Sequence, residues 1–176
     1  MDEFVLRLAV QNGYDRTMNR FANLPEVNLA ILSFAFHFVW EALQVPTYAG
    51  MSEMAHWPAT LLCTRATVGD VAFALTAFWI TALAARSRRW FMNPKPRHIA
   101  LFLGVGIALT IGFEWYYIEI SGRWIYSDLM PRLPLFGTGL SPLAQWLVVP
   151  LLVLFMLRRQ IAGAGALSHG TGPDDL

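Results

Sequence analysis

The chain has 176 residues, of which 56% are apolar, 14% aromatic and only 14% charged, with a net charge of +1. About a quarter of an average soluble domain is charged, so water is not the main solvent of this chain. Its thirteen Lys and Arg residues are scattered between apolar blocks and form no continuous stripe for phosphates, which excludes nucleic acid as a partner. The single cysteine, Cys63, leaves no internal disulfide and no cysteine-based zinc motif, and reads as a small buried apolar residue.

Taken from the N-terminus, Asp2 and Glu3 replace the basic start of a secretory leader, so no cleaved signal is expected. Phe4, Val5, Leu8 and Ala9 recur at near-helical spacing and suit a short helix on the membrane surface up to Gly13, or equally a frayed tail. Crossing about 30 Å of hydrocarbon takes roughly 20 mostly apolar helical residues. Windows near Val27–Val45, Thr67–Ala85, Ile99–Ile120 and Leu140–Leu157 qualify, predicting an all-α bundle of four transmembrane helices. Residues 1–26 form an N-terminal segment, 27–159 the membrane domain, and 160–176, rich in Gly and Ser, a disordered tail.

Lys and Arg outside the spans set the orientation. Arg7, Arg16, Arg20, Arg86, Arg88, Arg89, Lys95, Arg97, Arg158 and Arg159 fall on one side, and only Arg65, Arg123 and Arg132 on the other. Both termini and the middle loop are therefore expected in the cytoplasm of a cell with the protein in its inner membrane. The outer loops, Pro46–Ala66 and Ser121–Gly139, carry Tyr48, Trp57, Trp124 and Tyr126, which suit the headgroup layer. In the middle loop five bases beside Trp90 and Phe91 would sit well on anionic headgroups, at about 1 kcal/mol per base. Topology signalling explains those bases equally well, so membrane lipids are expected as general partners only.

An ionisable side chain at a span centre costs at least ~2.5 kcal/mol, so each needs a partner or a task. His37, Glu41, Asp70, Glu114 and Glu119 lie within the windows. All but His37, with Gln44, Ser141 and Gln145, lie in the outer half, and His37 is near the middle. Helical spacing puts His37, Glu41 and Gln44 on one face, and Thr110, Glu114, Tyr117 and Ser121 on another. Turned inward, these faces predict a polar cavity open to the outer surface, with Gln44, Tyr117, Gln145 and Trp115 as its walls. His37, Glu41, Asp70 and Glu114 are its candidate acid and base groups, whereas Glu119 points elsewhere. Against this stands plain helix glue: His37 and Glu41 make a self-contained pair, and Asp70 has Arg65 near the mouth of its helix.

A metal would draw on His37, Glu41, Glu114 and the loop residue His56, but the spacing His37-x-x-x-Glu41 is not the Glu-x-x-His of di-iron bundles. No motif nominates a cofactor. From Glu114 through Trp146 come a membrane acid, Gly122-x-Trp124-x-Tyr126, a proline-rich loop and Gln145-Trp146 entering the next span. This arrangement resembles small membrane proteins of carotenoid pathways over that stretch alone, and no residue's role is carried over from it. The expected function is an intramembrane enzyme or binding protein for a lipid or isoprenoid. The alternative is an accessory subunit docked on other membrane subunits; a proton or cation conductor is weakened by the nearly featureless inner half.

Overall fold

The structure, a computed structural model, describes residues 24–134 and 137–169, with side chains as far as 163. Four helices carry the fold: α1 Pro25–Gln44, α2 His56–Ala85, α3 Pro96–Trp115 and α4 Leu140–His169. All four are long and apolar enough to cross a membrane. Helices adjacent in sequence pack side by side, and α4 closes the ring against α1, an up-down-up-down bundle. Pro25 and Pro96 open α1 and α3, where a proline's missing donor costs nothing. At their far ends α1 passes into a 3-10 turn, Val45–Thr47, and α3 into a π-helical turn, Tyr116–Ile120.

The elements depart from expectation in three places. The second span does not start at Thr67: α2 begins at His56, so the preceding loop ends at Ala55. Pro58 is harmless in a first turn, and Thr60 and Thr64 return their hydroxyls to carbonyls four residues back. At 30 residues α2 is about 45 Å long and overshoots the hydrocarbon. The fourth helix likewise runs on to His169, into the stretch from 160 expected to be disordered. Alanines there extend a helix that is already nucleated. Residues 170–176 and the surface helix expected up to Gly13 lie outside the described residues.

The third departure is in the middle loop. Trp90 and Phe91, beside the five bases, are not left at the surface; they are 3% and 1% exposed, folded up beneath the bundle. A 3-10 turn, Trp90–Met92, carries them, and Trp90 packs at 5.5 Å from the ring of Phe102 and 5.9 Å from that of Phe78. With Leu29, Val149, Val153 and Leu157 these rings fill the half of the bundle nearest the basic loop. Arg88 clamps this end by a two-pronged bond to Glu26, 2.6 Å on each prong.

At the opposite end the loop after α1 and the loop after α3 pair with each other. Ala49 donates its N–H to Ile125 at 2.8 Å, Ser127 donates to Thr47 at 2.9 Å, and Ser127 Oγ donates to the Pro46 carbonyl at 2.8 Å. The result is a small cap held to the ends of α1 and α3. Within α4, Pro150 is buried and leaves the carbonyl of Trp146, four residues earlier, without its helical N–H partner.

Candidate functional site

Gln145 is the hub of the polar half. Facing the bundle axis from α4 at 2% exposure, its amide nitrogen lies 2.8 Å from His37 Nδ1, 3.2 Å from Asp70 Oδ2 and 3.3 Å from Glu41 Oε1. Residues from α1, α2 and α4 thus meet on one amide. His37 is wholly buried, with Nδ1 also 3.5 Å from Asp70. A neutral ring that accepts from this amide at Nδ1 carries its proton on Nε2, and Nε2 has no hydrogen-bond partner among the described residues. Trp146, the next residue, donates its indole N–H to Asp70 Oδ1 at 3.3 Å and stacks its ring 5.4 Å from His37. Trp146 reaches that place because Gly106 gives it room. A Cβ there would stand 2.1 Å from the ring.

A second string of bonds runs outward from Glu41. Gln44 donates to Glu41 Oε1 at 2.8 Å and accepts from Ser141 at 2.8 Å, and Ser141 accepts from the Trp40 indole at 3.2 Å. The predicted stripe of His37, Glu41 and Gln44 therefore does face inward and meets Asp70 and Gln145. Glu114 is buried beside this network but makes its own bonds, accepting from Tyr126 and, at 3.5 Å, from Tyr48. Tyr126 in turn accepts from the Gly139 N–H at 2.9 Å. Burial pushes both phenols up; Glu114 adds to this for each, and Glu41 and Asp70 add to it for Tyr48. Both therefore stay protonated donors, and the acids lie within electrostatic reach of one another. Glu114 fastens the outer cap to α3, a partner no sequence spacing indicated.

Three expected members lie elsewhere. Trp115 is no cavity wall: it is 53% exposed, because with Glu114 turned inward the next residue is carried about 100° round the helix. Tyr117 belongs to the cap, with its ring 4.5 Å from Trp124 and Arg123 lying 5.2 Å over it. The π turn is the cause: Ser121 donates to the Tyr116 carbonyl five residues back, and the expected line from Glu114 through Tyr117 to Ser121 is broken. His56 is exposed at the first residue of α2, fourteen residues and about 21 Å of helix from Asp70. Among the described residues no three His, Cys, Asp or Glu side chains converge so as to hold a metal ion, and the candidate ligands His37, Glu41, Glu114 and His56 do not assemble.

What sequence reasoning undervalued are donors. By sequence Tyr126 and Tyr48 read as headgroup aromatics, Trp146 as part of a motif and Ser141 as a polar residue of the outer half, yet each completes the hydrogen bonding of a buried acid or amide. Comparison with protein-family models, with curated proteins and with solved structures finds no match to this chain, so the likeness over Glu114–Trp146 gains no support from them.

Proposed function

We propose that the protein is a membrane-embedded acid–base enzyme acting on a lipid or isoprenoid, with His37 as the proton-exchanging group and Asp70 and Glu41 as its partners. One observation carries this reading. His37 is wholly buried, anchored through Nδ1 by Gln145 and Asp70, while Nε2 has no partner among the described residues. An unsatisfied buried nitrogen costs roughly 1–3 kcal/mol, a cost that a bound molecule completing the bond would remove. A molecule arriving from the bilayer is mostly hydrocarbon. A reaction that adds a proton at one carbon and withdraws one from another needs only the groups named here.

The excess of bases at the loop between α2 and α3 favours an inner-membrane protein with that loop and both termini in the cytoplasm, so the site lies in the outer half. A periplasm-active reporter fused after Arg159 should be silent and one inserted near Ser52 active; the reverse would move the site to the cytoplasmic face. For the reaction, lipid extracts of membranes holding equal amounts of wild type, His37→Gln, Asp70→Asn and Glu41→Gln are compared by mass spectrometry. Wild type should convert a lipid that the variants leave, with a loss of about a hundredfold or more for His37→Gln. Identical extracts, together with a stoichiometric partner chain on gentle purification, would sink the enzyme and favour the accessory subunit.

A further inference from the structure

At the basic end of the bundle, well away from His37, Asp70 and Glu114, two buried N–H donors are left without acceptors among the described residues. His98, in the first turn of α3, is 8% exposed, and Trp90, in the loop before it, is 3% exposed. Their rings meet edge to face at 6.4 Å. Arg97 Nε donates to His98 Nε2 at 3.4 Å, which makes that nitrogen the acceptor and places the ring proton on Nδ1. Both His98 Nδ1 and Trp90 Nε1 lack partners among the described residues. Every unsatisfied group in this pair is thus an N–H.

Apart from Glu26, the charged groups around the pair are basic. The first turn of α3 contains no acid and its N-cap, Lys95, makes no side-chain capping bond, so the positive end of a 20-residue helix stands uncovered. Arg86, Arg89, Lys95 and Arg97 are exposed and no carboxylate pairs with them among the described residues. Arg88 is different, since Glu26 neutralises it. Diffuse attraction to a charged surface would be met by the exposed bases alone. It does not account for two buried N–H groups beside a helix start.

We propose that Trp90, His98, Lys95 and Arg97 form a binding site for a phosphate group, the chemistry shared by an anionic lipid headgroup and free phosphate. The indole and imidazole N–H groups hold the phosphate oxygens, and the bases neutralise its charge. The full chain in phosphatidylcholine nanodiscs is titrated with phosphatidylglycerol in one arm and with inorganic phosphate in the other. Bound phospholipid is counted by native mass spectrometry and the indole N–H resonance of Trp90 is followed by NMR. Trp90→Phe keeps the ring and removes only the donor, and His98→Phe does the same for the imidazole; each should weaken binding roughly tenfold. Saturable binding with a shift of the Trp90 resonance in either arm supports the site, and the arm that saturates identifies the source. No shift of that resonance in wild type overturns the proposal even if the variants fail to fold, as does binding that falls with the number of bases removed but ignores Trp90→Phe.

Discussion

In the half of the bundle nearest the basic loop the interior consists of rings and aliphatic side chains, with Phe78, Phe102 and Leu157 at 0% exposure. In the other half the same four helices bury His37, Thr67, Gln145 and Glu114. The first half is held by shape, since lipid tails are as apolar as its side chains and only close packing separates helix contact from lipid contact. The second is held by side chain to side chain hydrogen bonds, normally about a tenth of all hydrogen bonds in a protein. A shape can be refilled by another residue of similar volume, whereas an amide whose two N–H groups are shared among three neighbours has no substitute of the same size. The two halves should therefore fail in different ways.

The largest effect expected is in the ring-filled half. Phe102→Ala should cost about 3–5 kcal/mol in reversible unfolding from mixed micelles, and Phe102→Leu under ~1.5 kcal/mol. If both cost the same, packing is not what holds that end. In the polar half Gln145→Leu nearly keeps the volume but leaves His37, Asp70 and Glu41 short of a donor. A loss of about 1–3 kcal/mol is expected in the same assay, with the apolar replacement costing more than Gln145→Glu at acid pH. A neutral Gln145→Leu would mean that the network is decoration. The smallest effect belongs to Glu119→Gln, exposed on the π turn, which should stay within ~0.5 kcal/mol and marks the floor of the series.

The spans were legible because hydropathy is a property of twenty residues at once, and the inward stripe of His37, Glu41 and Gln44 because helical spacing is local. Asp70 and Gln145 were legible as members of one inward-facing polar group, but not the individual bonds they make. Nothing in a spacing shows which acids an amide on the fourth helix will serve. The start of α2 at His56 was missed because the residues there are too polar for a hydrocarbon window, although Pro58 is a fair helix-start signal. The burial of Trp90 and Phe91 was not legible, because a Trp beside arginines reads the same whether its ring lies in lipid or turns back into the bundle. Tyr117 was misplaced because a 3.6-residue period was carried through a turn that takes one residue more.

Pro150 has a mechanical meaning for this division. The rung it removes from α4 lies at the boundary, with Gln145 and Trp146 on the polar side and Val153, Leu154 and Leu157 on the other. A helix bends most cheaply where a rung is absent. The segment carrying Gln145 and Trp146, which supplies the donors of His37 and Asp70, is therefore tied to the ringed segment by one backbone bond fewer than a regular helix has. The donors of His37 and Asp70 and the packing of the ringed half are thus borne by different stretches of the same helix.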